Sequence, residues 1–171
     1  MRLAALAFAT LIAAFAPAHS ASVETAAEGL EHPWGMAFLP DGSMLVTERP
    51  GRMRIVRDGK LSEPLANVPD VVARGQGGLL DVALHPKFAE NRLVYFSFSE
   101  PRGLGSNGTS LARAKLSDNG TALENVEVIF RQQPAIRSTA HFGGRIAFAP
   151  DGNLLLTLGD RYSQRDSAQD L

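Results

Sequence analysis

One eleven-residue segment occurs twice in this chain, and it constrains the fold more than any other feature. Residues Ala37–Thr47 and Ala147–Thr157 share the pattern Ala-Phe-x-Pro-Asp-Gly, followed by a polar residue, three apolar residues and a threonine. A looser copy runs over Val82–Pro86 and resumes at Leu93–Tyr95. Asp-Gly turns between short apolar runs are typical of β hairpins. The repeat therefore predicts sheets built one after another from similar hairpins.

The prolines of the three copies give the length of the repeat. Pro40 and Pro86 are 46 positions apart, and Pro86 and Pro150 are 64 positions apart. Periods of about 40–50 residues, with about four strands each, are typical of propeller blades. The longer second interval predicts an insertion, which we place around Gly103–Gly108.

The number of repeats is too small for a closed propeller. The chain has room for about three blades, whereas a propeller ring takes about 4–8. An unclosed ring exposes sheet edges and an apolar face, which favours aggregation. We therefore expect the chain to be part of a longer protein, with assembly with another copy as the alternative.

Short apolar runs follow one another along the rest of the chain, and none indicates a helix after the first 20 residues. Their composition and bounding turns predict an all-β fold, a β-propeller of which about three blades are present. The candidate strands are Gly35–Leu39, Met44–Thr47, Met53–Arg57, Leu79–Leu84, Leu93–Phe98, Ser110–Lys115, Val126–Phe130, Arg145–Phe148 and Leu154–Leu158.

The first 20 residues have the layout of a secretory signal peptide. Arg2 is followed by an apolar run, Leu3–Phe15, and then by small residues, Ala16–Ala21. The apolar run is shorter than an ordinary membrane span, and no later segment qualifies. A buried amphipathic helix is the alternative, although no polar face is visible. We expect residues 1–20 to be removed and residues 21–171 to form the N-terminal part of a propeller domain in the periplasm or outside the cell.

Charge and cysteine content exclude several classes of partner. The formal net charge is −1, the isoelectric point is near 6.4, and the chain has no cysteine. A nucleic-acid-binding domain carries a basic patch, which is missing here. The absence of cysteine excludes a disulfide framework. A core of about 150 residues is large enough to fold without one.

The most informative site motif is the tract Ala140–Ile146, which places His141 before two glycines. Imidazole is suited to accepting protons near neutral pH, and bare glycine backbone lets a ligand approach closely. Asp160 follows the next candidate strand, where a carboxylate can orient a histidine. The alternatives are a histidine that only packs at a turn and an aspartate that bonds its own backbone.

Several other residues have both a functional and a structural interpretation. Gln76 lies among glycines, so that its amide either reaches a ligand or is only polar loop surface. His32 and His85 each precede proline, and we expect both to be structural. Trp34 either stacks on a ligand or packs in a blade core, and the core is the interpretation we favour.

Six segments of the chain form an ordered series of motifs: His32–Gly42, Val46–Arg49, Gly51–Arg52, Gln76–Phe88, His141–Ile146 and Gly159–Asp160. Each motif alone is weak, but their order and spacing over His32 to Asp160 are specific. Together they resemble the glucose/sorbosone dehydrogenase family, the soluble sugar dehydrogenases that use pyrroloquinoline quinone (PQQ), and the aldose sugar dehydrogenase branch in particular.

The resemblance implies a six-bladed propeller, within the usual range of about 4–8 blades, with PQQ at one end and an aldose sugar above it. It implies that His141 removes the proton of the anomeric hydroxyl, that Asp160 holds the imidazole, and that Gln76 touches the cofactor or the sugar. It also implies calcium and cationic side chains that this chain does not supply, and an external electron acceptor. Arg145 is not assigned to the cationic role.

The sequence therefore leads to two main hypotheses about function, beside a third in which the chain is a truncated reading frame with no function of its own. The first is a PQQ-dependent aldose dehydrogenase that oxidises the anomeric hydroxyl to the lactone, of which this chain is the N-terminal part. The second is a non-catalytic secreted propeller that binds carbohydrate or a protein partner, because propellers host many unrelated functions.

Overall fold

Two four-stranded antiparallel sheets and a two-stranded hairpin make up the fold. A computed structural model describes residues 21–166, so the predicted signal peptide lies outside the described residues. The first sheet contains β1 (Pro33–Phe38), β2 (Met44–Glu48), β3 (Arg52–Arg57) and β4 (Lys60–Leu61). The second contains β5 (Leu79–Leu84), β6 (Leu93–Pro101), β7 (Asn107–Leu116) and β8 (Leu123–Arg131), with the helix α1 (Phe88–Asn91) between β5 and β6. The hairpin is β9 (Gly143–Phe148) with β10 (Leu154–Leu158).

The repeated sequence segment forms the same turn in both of its exact positions. The N–H of Gly42 donates to the carbonyl of Leu39 at 2.9 Å, and the N–H of Gly152 donates to the carbonyl of Ala149 at 2.9 Å. Both glycines have positive φ, +83° and +88°, a region that glycine enters without steric cost. The repeat therefore marks the first hairpin of the first sheet and the hairpin β9–β10.

The first strands of the three units lie side by side. Strand β5 contacts both β1 and β9, as expected for the inner strands of neighbouring propeller blades. At the contact between the first two sheets, Gly35 leaves no room for a side chain, because a Cβ there would lie 2.9 Å from the carbonyl oxygen of Leu80. Thr47 accepts the N–H of Gly35 and donates to the same Leu80 carbonyl.

The apolar core lies on both faces of the second sheet. Alternation along β6 sends Val94, Phe96 and Phe98 toward the first sheet and Tyr95 toward the hairpin. A hydrogen bond also joins the second sheet to the hairpin, because the hydroxyl of Ser97 in β6 donates to the carbonyl of Gly144 in β9 at 2.6 Å. Because both faces are covered, the second sheet is the middle of the described stack.

The predicted all-β propeller is confirmed, with corrections in detail. Two four-stranded sheets are complete, and the third unit has only two strands in the described part of the chain. The expectation of no helix was wrong, since Phe88–Asn91 forms a short one. The sequence pattern also missed the two-residue strand β4, which is too short to show alternation. Within residues 21–166, no helix has the length and apolar character needed to cross a membrane.

The predicted insertion corresponds to longer strands. Strands β6, β7 and β8 have 9, 10 and 9 residues, against 5, 6 and 2 for β2, β3 and β4. The segment Gly103–Gly105 lies at the tip of the long β6–β7 hairpin. Residues 132–142 then lead from β8 back to the inner strand β9.

Candidate active site

The hairpin β9–β10 brings His141 and Asp160 together. In this antiparallel pair Gly143, the first residue of β9, faces Leu158, the last residue of β10. His141 lies two residues before β9 and Asp160 two residues after β10, so both reach the same edge. The backbone bonding continues past the strands, since the N–H of Gly159 donates to the Phe142 carbonyl at 3.1 Å.

The imidazole and the carboxylate are hydrogen-bonded. His141 Nδ1 lies 2.7 Å from Asp160 Oδ1, and the two side chains are 42% and 24% exposed. The backbone N–H of Tyr162 donates to the same oxygen at 2.8 Å. This backbone bond, followed by the bond from His141, lowers the pKa of Asp160 below its ordinary value. An ionised carboxylate only accepts hydrogen bonds, so the Nδ1 atom of His141 carries the proton and Nε2 is the basic nitrogen.

Gln76 fixes the backbone of His141. Its side-chain oxygen accepts the N–H of His141 at 2.8 Å, and its own N–H donates to the Thr139 carbonyl at 2.8 Å. Gln76 comes from the loop before β5, so the bond joins the second sheet to the hairpin. The structure thus brings together all three residues that the sequence singled out, His141, Asp160 and Gln76.

An open cleft of about 440 Å³ lies beside these residues. His32, Trp34, Arg49 and Gln76 line it together with His141. Trp34 is 39% exposed, so the favoured prediction of a buried blade-core indole was wrong. The physical reason is that Trp34 lies beside the exposed Met36, on a surface of the first sheet that no other described sheet covers.

Arg49 is a cleft residue that the sequence analysis missed. It follows β2, and antiparallel pairing of β1 and β2 puts the end of β2 beside the start of β1. One guanidinium nitrogen donates to the Gly75 carbonyl at 2.6 Å, which holds the cation over the loop of Gln76. The sequence offered one signal for Arg49 as a site residue: like Asp160, it lies just after the end of a strand.

Other residues considered from the sequence lie outside this cleft. His85 stacks on Tyr95 with ring centres 6.1 Å apart, and its Nδ1 accepts the N–H of Lys87. Arg145 faces Asp81 at 3.4 Å, and its side chain is 71% exposed. In residues 21–166, no group of three or more His, Asp and Glu side chains is placed to hold a metal ion.

The arrangement suits proton abstraction from a bound hydroxyl. Nε2 of His141 is the free basic nitrogen, Asp160 offsets the charge that develops on the ring, and Tyr162 packs edge-on against the ring at 5.4 Å. The exposed indole of Trp34 and the guanidinium of Arg49 give the cleft a flat apolar surface and a positive group. These features fit a flat anionic ligand.

The blades define the class of fold as a propeller, with the hydrogen-bonded His141–Asp160 pair beside a cleft. Comparison with known proteins gives the particular family. The chain belongs to the Glucose / Sorbosone dehydrogenase family, whose model matches residues 30–171. The resemblance found in the sequence motifs is thereby confirmed.

Proteins similar to this chain include sugar dehydrogenases. The chain is 46% identical over 158 residues to aldose sugar dehydrogenase YliI of Escherichia coli, covering 91% of this chain and 42% of that protein. The apo structure of the soluble aldose sugar dehydrogenase from Escherichia coli matches with a TM-score of 0.81 at 46% identity, over 86% of this chain and 43% of that one. The PQQ-bound aldose sugar dehydrogenase of Streptomyces coelicolor matches with a TM-score of 0.71 at 33% identity, over 81% and 41%.

The alignments cover most of this chain but only part of each relative. The chain spans less than half the length of these relatives. Their names describe them as sugar dehydrogenases, and the Streptomyces coelicolor structure is described as PQQ-bound.

Proposed function

We propose that this chain carries the proton-abstracting part of a PQQ-dependent aldose dehydrogenase, which oxidises the anomeric hydroxyl of an aldose to the lactone. The observation that supports this most directly is the His141–Asp160 pair, opening onto a cleft in a chain of this family. We also propose that residues 1–20 are a signal peptide, that residues 21–171 belong to a propeller domain, and that the protein works in the periplasm or outside the cell.

The proton step uses the geometry of the pair. The hydroxyl proton passes to Nε2 of His141 as the C1 hydrogen leaves with its electron pair, so that C1 and its oxygen become the lactone carbonyl. PQQ, when bound, supplies the acceptor for that hydride. Asp160 stays ionised, because hydrogen bonds lower its pKa, and balances the imidazolium. General base catalysis of this kind is worth about 10²–10⁴-fold in rate.

Chain residues also account for ligand placement. Arg49 and Gln76 offer a cation and an amide to the oxygens of the cofactor, and Trp34 offers a flat apolar surface. Gly143 lines the cleft beside His141, and a Cβ there would lie 2.7 Å from the Thr157 carbonyl oxygen, so this glycine keeps the two strands close at the edge of the cleft. An external electron acceptor completes the cycle, and the calcium that the resemblance implies is not assigned to residues of this chain.

The single tryptophan of the chain provides the test. Trp34 lines the cleft, so PQQ that binds there quenches its fluorescence. We expect saturable quenching by PQQ, weakened in Arg49→Ala and unchanged in His85→Asn, which keeps an acceptor at a site outside the cleft. Melting curves verify that each variant is folded. If PQQ does not quench while glucose alone changes the emission, the chain is a carbohydrate-binding propeller instead.

A further inference from the structure

Arg161 is a buried cation that the proposed mechanism does not use. Its residue is 2% exposed, and it directly follows Asp160. Its guanidinium donates to main-chain carbonyls of Asn107 at 3.2 Å, Ser138 at 3.0 Å and Ala140 at 3.3 Å, and to the side-chain oxygen of Asn107. Burial lowers the pKa of Arg161.

The same side chain covers the residue that follows His141. The guanidinium carbon lies 4.0 Å from the centre of the Phe142 ring, and Phe142 is itself buried. A cation over an aromatic face is attracted by the ring quadrupole, and more strongly when both are away from water. Arg161 thus holds the chain on both sides of His141, through the Ala140 carbonyl and the Phe142 ring.

The main chain of Arg161 adds two bonds to the same segment. Its N–H donates to the His141 carbonyl at 3.2 Å, and its carbonyl accepts the hydroxyl of Ser138 at 2.8 Å. His141 and Arg161 both have positive φ, 50° and 53°, which is uncommon for residues with a side chain. Such backbone persists where the surroundings fix it, and here the contacts of Arg161 act together with the hydrogen bond from the His141 N–H to Gln76.

A buried charge paired only with carbonyl and amide groups is a costly way to stabilise a fold, because apolar side chains of similar volume often serve as well or better. We propose that Arg161 is a positioning residue that sets the orientation of His141 toward Asp160 by clamping residues 138–142. This inference rests on the proposed function, since it assigns Arg161 a role in that proton transfer. The rival is a purely structural role in joining the β6–β7 hairpin, through Asn107, to the loop.

The test compares Arg161→Met, Arg161→Lys and Arg137→Met. Met replaces the cation with an apolar chain, Lys keeps the charge without the planar fork, and Arg137 is an exposed arginine of the same loop outside the cleft. The readout is the pair of ¹⁵N shifts of the His141 imidazole in the ligand-free chain, which reports the tautomer. Urea unfolding verifies that each variant is folded.

We expect Arg161→Met to fold and to show averaged Nδ1 and Nε2 shifts, with partial recovery of the Nδ1–H pattern in Arg161→Lys and no change in Arg137→Met. Wild-type shifts in a folded Arg161→Met variant would overturn the proposal. So would failure of both Arg161 variants to fold, which would assign a structural role. Quenching of Trp34 by PQQ is measured separately, so that a failure of the proposed function leaves the tautomer result interpretable.

Discussion

At the scale of single residues, the His141–Asp160 bond makes a definite prediction about where the imidazole proton lies. With an ionised Asp160, the proton resides on Nδ1. In Asp160→Asn the amide can donate to the ring as well as accept from it, so we expect the imidazole to shift toward the Nε2–H tautomer. Long-range ¹H–¹⁵N spectra of the chain measure this directly.

The matched control for that variant is Asp151→Asn. Asp151 caps the exposed turn between β9 and β10, where it accepts from Asn153, and it lies outside the cleft. Its replacement is expected to leave the His141 spectrum unchanged. Equal spectra for Asp160→Asn and the wild-type chain would show that the bond does not set the tautomer.

Glu48 makes a second prediction at this scale, about stability. Its side chain is fully buried and accepts from Arg52 at 2.8 Å and Arg54 at 3.0 Å. Burial raises its pKa, but hydrogen bonds from Arg52, the Glu31 N–H and Arg54 outweigh burial, and the net pKa is lowered. We expect Glu48→Ala to reduce the unfolding free energy at pH 7 by about 3 kcal/mol, the low end for a broken buried pair, since both arginines keep some contact with water.

The pH dependence of this effect follows from the lowered pKa. A depressed carboxyl pKa contributes stability that is fully present above the unfolded value of 4.5 and is lost as the pH falls through the folded value. The difference in unfolding free energy between wild-type and Glu48→Ala therefore shrinks below about pH 4.5. Urea titrations at pH 7 and at pH 3.5 measure it, and a constant difference would contradict the assignment.

At the scale of elements, the edge of the β9–β10 hairpin depends on a residue without a side chain. A Cβ on Gly159 would collide with the carbonyl of His141. Gly159→Ala is therefore expected to push the loop of Asp160 away, to break its bond to His141 and to cost about 1–3 kcal/mol through overpacking. Urea unfolding and the ¹⁵N shifts of His141 measure the two effects.

A glycine with open surroundings is the control for this substitution. Gly103 lies at the tip of the β6–β7 hairpin, and nothing lies within 4 Å of a Cβ built there. Gly103→Ala carries a backbone cost of about 1–2 kcal/mol, because its φ is positive, but it leaves His141 alone. If Gly159→Ala kept the His141 spectrum of the wild-type chain, the close approach would not be what holds the pair together.

The strands and the site residues differ in how well the sequence predicted them. The repeat and the Asp-Gly turns predicted most strands, because hairpins are determined by local chemistry. The site residues were predicted as separate candidates, and antiparallel pairing explains why His141 and Asp160 meet. The burial of Arg161 was not predictable, since it depends on contacts with Asn107 and Ser138, which are distant in the sequence. The exposure of Trp34 depends on which surface of the first sheet is left uncovered, and the sequence pattern does not show this.

At the scale of the whole molecule, the two ends of the stack of sheets expose apolar surface. Phe38 of the first sheet is 63% exposed, and Leu155 of strand β10 is 58% exposed. Exposed apolar residues on strands at the edge of a sheet favour association between chains. We expect the purified chain to self-associate as its concentration rises, as sedimentation velocity will show.

A pair of lysine variants tests which surface is responsible. Leu155→Lys places a charge on the exposed strand and is expected to weaken the association. Leu104→Lys is the control, because Leu104 is 91% exposed at a loop tip away from the strand edges. Equal weakening by both variants would point to general charge repulsion rather than to the hairpin.

Catalytic turnover is also a property of the whole molecule. The chain spans less than half the length of its relatives, and the family resemblance places the cationic and calcium groups outside it. With PQQ, calcium, glucose and a reducible dye, we expect the isolated chain to turn over weakly or not at all. The aldose sugar dehydrogenase of Escherichia coli is the positive control, and a comparable rate from this chain would contradict the expectation.

The placement of His141 and Asp160 at the two ends of one hairpin has a mechanical consequence. Pairing of β9 with β10 brings these two residues together, whereas Trp34 and Arg49 reach the cleft from the first sheet. A small shift of the first sheet would therefore reshape one wall of the cleft and leave the distance between imidazole and carboxylate unchanged.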